Sequence, residues 1–274
     1  MRHLTEDKAV LWKPEGLYGI SLYKAQVRNF AFNMHSHDEF AIGIIEQGAQ
    51  NIYYRGKTHL APFGAIVTIN PGEVHNGQPA TKQGYQYRSA YISRDILDAV
   101  FTGSYSNVLF CSLIHFNDEL ARHLHSSLER IGESSHISNE IRSDFLKVIS
   151  EIFDILGTCN QIPCQTQRRV QVIIKACRFI NVKAAENITL EEIANEVALS
   201  RFHFLRLFKD ITGLPPHAYL IQRRVKIAKE AIESGESLID AAAISGFSDQ
   251  SHMGRRFKAM YGVSPGQYQK TLSV

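Results

Sequence analysis

Along the first ninety residues the apolar positions come in short runs. They lie at Leu17–Leu22, Gln26–Met34, Phe40–Glu46, Ile52–Arg55, Ala65–Ile69 and Tyr85–Ile92, broken by Gln47-Gly48, Arg55-Gly56 and Asn70-Pro71-Gly72. Short runs between turn residues at this spacing predict an all-β sandwich or barrel. From residue 117 the period becomes helical. Leu120, Leu124, Leu128 and Ile131 make one stripe; Ile141, Phe145, Val148, Ile149, Ile152 and Leu156 make another, with a turn across Gly132–Asn139. Two such amphipathic helices can pack on the barrel, on a second subunit, or on both.

The last third repeats itself. Phe208-Lys209 followed by Gly213, Pro216 and Tyr219 recurs 49 positions on as Phe257-Lys258 followed by Gly262, Pro265 and Tyr268. His203/His252, Arg206/Arg255 and Ala194/Ala243 keep the same register. Solenoids and propellers need at least three copies to close a core, so two copies point to a paired device. In the first copy Thr189 and Glu192 form a capping box ahead of Leu190, Ile193, Ala194 and Val197, which predicts a helix ending near Ala198 or Leu199. Ser200 then caps a second helix, Arg201–Ile211, stopped by Gly213. In the second copy Ser237 caps Leu238–Ser245, Gly246-Phe247-Ser248 turns the chain, and Asp249 or Gln250 begins a helix running to Tyr261 before Gly262. Each copy reads as a helix-turn-helix.

Between them a helix is predicted from Pro215 or Pro216 through Ser234, proline being tolerated in a first turn. At ~1.5 Å per residue this rod is roughly 27 Å long. One turn of B-DNA is about 34 Å, so such a rod can set two recognition helices into successive major grooves on one face of a duplex.

Charge adds to this. From Gln165 onward there are 16 Lys+Arg against 10 Asp+Glu, which leaves 14 against 17 before it; the basic excess sits in the helical part. The chain of 274 residues is 44% apolar and 21% charged, ordinary for a soluble two-domain protein. No window nears 18 continuous apolar residues, and the amino terminus lacks a signal-peptide run, so a cytoplasmic protein without a membrane partner is expected. Cys111, Cys159, Cys164 and Cys177 lack zinc spacing; reduced thiols are expected, with a redox switch at Cys159 and Cys164 as the other use.

Ser200 through Lys209 with Gly213, Gly246-Phe247-Ser248, and Arg255-Arg256-Phe257-Lys258 through Gly262-Val263-Ser264-Pro265-Gly266-Gln267-Tyr268 resemble the DNA-binding domain of the AraC/XylS family of bacterial transcription regulators. The resemblance covers roughly residues 168–274. It implies base contacts from Phe202, Leu205 and Arg206 in the first recognition helix and from Ser251, His252 and Arg255 in the second. Arg201, Lys209, Arg256 and Lys258 complete the outward faces. An arginine fork matches guanine O6 and N7, whereas Leu205 offers at most apolar contact to a thymine methyl.

In the first half, His35-Ser36-His37 and His75 within Pro71-Gly72-Glu73-Val74-His75 resemble the two short motifs of cupins. In cupins such residues can hold a metal. The expected glutamate is replaced by Ala41 and Ile42, and sensor domains of AraC-type regulators show the same pattern, so no metal and no cofactor is expected. Any metal would fall to His35, His37 and His75. The residues proposed to line an effector pocket are His35, His37, Tyr53, His75, Tyr87 and Tyr91, with Arg28 or Arg88 for an anionic group. Trp12 belongs either to an arm over that pocket or to a packed anchor.

The expected fold is two-domain α+β: a cupin-like β-barrel with following helices at 1–157, a linker at 158–167, and an all-α domain of two helix-turn-helix units joined by a linker helix at 168–274. The expected function is sequence-specific regulation of transcription, as an activator, governed by a small-molecule effector in the barrel. Its partners would be double-stranded promoter DNA, RNA polymerase and a second copy of the chain, docked through helices in 117–157. The alternative is a metal-dependent cupin enzyme with an accessory helical domain.

Overall fold

A computed structural model describes residues 6–106, 108–134, 136–159 and 167–272. In chain order the elements are β1 (Lys8–Trp12), β2 (Ile20–Val27), β3 (Phe32–His35), β4 (Glu39–Tyr54), β5 (Lys57–Pro62), β6 (Ile66–Ile69), β7 (His75–Pro79), β8 (Tyr85–Ser93), α1 (Arg94–Val100), β9 (Val108–Phe110), β10 (Ile114–His115), α2 (Asp118–Glu133), α3 (Asn139–Leu156) and β11 (Gly157–Cys159). They are followed by α4 (Gln167–Val182), α5 (Leu190–Glu196), α6 (Arg201–Thr212), α7 (Pro216–Glu233), α8 (Leu238–Ile244), α9 (Gln250–Tyr261) and α10 (Pro265–Leu272). The strands with α1–α3, apart from Asn33–His35 of β3, form one compact unit, and α4–α10 with Asn33–His35 are grouped in a second.

In the first unit β4 serves two layers. Its first half pairs with β8 and β6 in the order β1-β2-β8-β4-β6-β10, while its second half pairs with β5 and β7, and β7 carries β3. The strand bends where its register slips between Ile45 and Gln47. Gly48 follows at φ +70°, and a Cβ there would lie 2.1 Å from the Gly84 carbonyl oxygen, so no larger residue fits this crossing.

The β2-β8-β4-β6 layer has two distinct faces because side chains alternate along each strand. On one face Ile20, Leu22, Phe40, Ile42, Ile44, Ile66, Ala90 and Ile92 join Leu120, Leu124, Leu128 and Ile131 of α2 and Phe145, Val148, Ile149, Ile152 and Phe153 of α3 in one core cluster. The apolar stripes of both helices are therefore buried against the sheet. Trp12 packs on the same cluster from β1, so it is a packed anchor. The opposite face carries Ser21, Tyr23 and Ala25 of β2, Ala41 and Gly43 of β4, and Tyr85, Tyr87, Ser89 and Tyr91 of β8. Strand β11 pairs with β9, Thr158 opposite Leu109, so residues 158 and 159 belong to the sheet and not to the expected linker. Cys164 lies outside the described residues, Cys111 Sγ lies 2.8 Å from Thr158 Oγ1, and Cys177 is a thiol whose pKa burial raises.

In the second unit the local signals act where expected. Thr189 and Glu192 form a complete capping box, and these hydrogen bonds hold the Glu192 carboxyl below its ordinary range. Helix α5 stops at Glu196, short of Ala198, because Ala198 turns into the left-handed region at φ 53°. Ser200 occupies the N-cap position of α6 but makes no side-chain capping bond, whereas Ser237 and Asp249 accept from Asp240 N and His252 N. Gly213 and Gly262 end the two recognition helices in left-handed conformation. Phe204, Leu207 and Phe208 of α6 pack with Ile173, Ala176 and Ile180 of α4, Ile193 and Ala194 of α5, and Leu220 of α7. The second copy buries Ala241, Ala242, Phe247, Met253, Phe257, Met260 and Tyr268.

Gly246 makes the tight turn of the second copy at φ +78°, and a Cβ there would sit 2.6 Å from the Ala185 carbonyl oxygen. Strain and clash act together, so Gly246→Ala is expected to cost about 1–3 kcal/mol in chemical denaturation. An unchanged unfolding midpoint would mean that this turn tolerates a side chain.

Candidate nucleic-acid interface and effector chamber

Helices α6 and α9 each divide into a buried and an exposed side. In α6 Phe204, Leu207 and Phe208 are buried, while Arg201, Phe202, Arg206 and Lys209 are exposed and Leu205 is half-buried. In α9 Met253, Phe257 and Met260 are buried, while Ser251, Arg255, Arg256 and Lys258 are exposed. The ten residues expected at the interface thus fall on outward or partly outward positions of two helices related by the repeat. His252 is the most constrained of them. Its ring centroid lies 5.2 Å from that of Phe247, and its Nε2 accepts from Arg256 Nε at 3.3 Å. The main-chain NH of His252 is donated to Asp249, which keeps that carboxyl below its usual range and opens α9. Lys209 and Lys258 sit in the last turns, where a cation complements the helix dipole. Between these helices runs α7, uninterrupted over 18 residues, or roughly 27 Å.

In the first unit the sheet face turned away from α2 and α3 forms a second candidate site. The rings of Tyr23 and Tyr87 lie 5.5 Å apart, Tyr85 stacks on Tyr87 at 5.4 Å, and Tyr91 meets Tyr23 at 6.3 Å. From the opposing layer His37 approaches Tyr91 at 5.1 Å and His75 at 4.9 Å, and Gln50 Nε2 donates to the Tyr85 hydroxyl at 3.0 Å. Gly43 lies in the middle of this face, where a Cβ would be 2.2 Å from Ser89 Oγ. Tyr87 and Tyr91 keep partial solvent exposure although they point between the layers, so solvent reaches this chamber. Burial raises the phenol pKa values of Tyr23, Tyr87 and Tyr91, which keeps them neutral hydrogen-bonding groups.

The histidines are oriented by main-chain carbonyls. Nδ1 of His35, His37 and His75 lies 2.7, 2.7 and 3.0 Å from the carbonyl oxygens of Asn33, Glu39 and Glu73. A carbonyl only accepts, so each Nδ1 carries a proton, and burial lowers the pKa of His35. Glu73 is occupied by structure: it accepts from Tyr54, from Arg55 Nε at 3.0 Å and from Asn70 Nδ2 at 2.9 Å. That network fixes the loop presenting His75. Among the described residues no group of three His, Cys, Asp or Glu side chains is placed to hold a metal ion. His37 and His75 come together, their ring centroids 4.9 Å apart.

Three residues expected in the pocket lie elsewhere. Arg88 points from β8 toward α2, where its Nε is 2.5 Å from Glu46 Oε1 and its NH2 is 3.7 Å from Glu129. Arg28 is exposed beyond the end of β2, and Tyr53 is 40% exposed on the outer side of β4. The sequence reading missed Tyr23, Tyr85, Gln50 and Ser89. Tyr85 and Ser89 share the parity of Tyr87 and Tyr91 and could have been found from it; Tyr23 needed the register that sets it opposite Ser89.

Residues 17–147 match the model of the AraC-like ligand binding domain, and residues 193–271 match a helix-turn-helix domain. The chain is 29% identical over 228 residues to the uncharacterized HTH-type transcriptional regulator YbfI of Bacillus subtilis, covering 81% of each. It is 31% identical over 104 residues to the HTH-type transcriptional activator AarP of Providencia stuartii, covering 38% of this chain and 77% of that protein. The chain belongs to the AraC family of transcription regulators. Apo ToxT K231A of Vibrio cholerae shares the two-domain fold at a TM-score of 0.59 with 14% identity, covering 93% of this chain and 98% of that one. As an AraC-family regulator the protein combines a ligand-binding domain with a helix-turn-helix DNA-binding domain. Among the described residues no helix is long and apolar enough to cross a membrane.

Proposed function

We propose that this AraC-family regulator activates transcription by setting α6 and α9 into successive major grooves of a promoter, under control of a small molecule held between Tyr23, Tyr87, Tyr91, His37 and His75. The supporting observation is the pair of outward arginines, Arg206 and Arg255, at matching positions of two helices tied by the unbroken α7. Each guanidinium fork is suited to one guanine edge. The chamber works without a metal or cofactor and does no chemistry of its own, its tyrosines being held neutral by burial. Effector binding alters transcription only by favouring one state of the regulator over another, since equal affinity for both would change nothing. The protein acts in the cytoplasm and contacts RNA polymerase beside its site. A homodimer would form through α2 and α3.

Arg206→Ala is expected to cost about 1–3 kcal/mol of specific binding and to relax selectivity at one base pair, measured by titrating the full chain against variants of a selected duplex. Uniform weakening across all duplexes would make Arg206 a phosphate contact instead.

A further inference from the structure

The internal repeat allows the two reading heads to be compared position by position, and they are not alike. Shifted by 49 residues, Arg206 meets Arg255, but Phe202 meets Ser251 and Leu205 meets Gly254. The first head thus flanks its arginine with two bulky apolar side chains where the second has a hydroxyl and no side chain at all. Phe202 is 88% exposed on the first turn of α6, while Phe204, two residues on, is fully buried. A phenyl ring so placed adds nothing to the core and keeps a large apolar surface in water. Its hydration cost is recovered only when a partner covers it. Leu205, three residues along, adjoins it on the same side of the helix.

On a helix entering the major groove, one feature of the base pairs is apolar: the C5 methyl of thymine. Resting on the reading that these helices bind duplex DNA, we infer that Phe202 and Leu205 make the first head a thymine-methyl reader, while the second head reads its guanine without any such requirement. The operator is then asymmetric. Both half-sites carry a guanine for their arginine, and only the half-site under α6 carries obligatory thymines beside it. This asymmetry fixes the direction in which the protein lies on a promoter, which two equivalent heads would leave undetermined.

The second helix is open to the same chemistry. A Cβ on Gly254 would find its nearest neighbour, Pro265 Cδ, only at 4.0 Å, and Ser251 is exposed. The apolar pair can therefore be copied into α9 without a clash at Cβ.

The test uses the full chain and a duplex selected by it from a random pool, with each half-site assigned to its head by the loss that Arg206→Ala or Arg255→Ala produces. Replacing thymine by uracil removes only the methyl. In the α6 half-site this replacement is expected to weaken binding about fourfold for each contacted methyl, equivalent to about 0.8 kcal/mol for one buried carbon. In the α9 half-site it should have no effect. Phe202→Ala with Leu205→Ala should bind the thymine and uracil duplexes equally, and Ser251→Phe with Gly254→Leu should confer methyl dependence on the α9 half-site. Phe202 is surface-exposed, so its loss leaves the fold intact. Equal sensitivity of both half-sites to uracil, or insensitivity of both, overturns the inference while leaving DNA recognition standing. Failure to select any preferred duplex overturns both.

Discussion

Arg88→Met is expected to destabilise the first unit by about 3–5 kcal/mol, whereas the double change with Glu46→Leu should recover most of that loss. The side chains of Arg88 and Glu46 are only 8% and 6% exposed. Glu46 is held by Arg88 Nε at 2.5 Å, by Gln86 Nε2 at 2.8 Å and by His125 Nε2 at 3.3 Å. Removing the guanidinium leaves a carboxylate buried against α2 with only weaker partners, and that desolvation accounts for the cost. Removing both charges leaves an apolar contact between β8 and α2, where Leu124 and Leu128 already pack. Denaturant unfolding of the four proteins in this cycle gives the numbers. Single changes within about 1 kcal/mol of the parent would show that the pair is solvated. Arg88 alternates with Tyr87 and Ser89 and lies on the other face of the sheet, so the double variant should also keep its effector response.

Phe257→Ala is expected to cost about 3–5 kcal/mol and to abolish reading by the second head. Phe257 is fully buried, with its ring 4.8 Å from Tyr261 and 5.8 Å from Tyr268. Truncation opens a cavity beneath α9 that Met253 and Met260 fill only in part. The helix then no longer holds Arg255 in fixed orientation. Phe208 occupies the matching place in the first copy, 5.3 Å from Phe204 and 5.5 Å from Tyr219, so Phe208→Ala should cost a similar amount and silence the other head. Unfolding free energies and half-site protection by each variant check this pairing. A Phe257→Ala protein that still protects both half-sites would show that α9 is held by something other than this ring cluster.

How far these features were legible depends on the range of the interactions that produce them. The helical domain is written in local signals. Thr189, Ser237, Asp249, Gly213 and Gly262 each act through their own backbone and nearest turns, so α5 through α9 fall within a few residues of expectation. The misses there have local causes as well: α10 begins with Pro265-Gly266, which reads as a breaker, and α5 ends early because Ala198 adopts a backbone that favours glycine. The barrel was legible as a set of strands but not as a site. Alternation places Tyr87 and Tyr91 on one face and Arg88 on the other, yet nothing in β8 says which face α2 and α3 will cover. Arg88 was therefore assigned to the pocket and proves to be a buried, paired residue beneath α2. The joining of His37 with Tyr91, and of Tyr23 with Tyr87, rests on pairing between strands far apart in sequence. Glu73 anchors the loop that presents His75 through Arg55 and Asn70, a role set by contacts that the motif itself does not spell out.

Two reading heads on one chain, spaced by the α7 helix, should leave two separate marks on a duplex. Dimethyl sulfate protection of guanine N7, on a duplex selected by the full-length protein, tests it most directly. Two protected guanine clusters are expected about 10 bp apart on one face of the helix, one lost with Arg206→Ala and the other with Arg255→Ala. A single cluster, or two clusters that both survive each substitution, would contradict it.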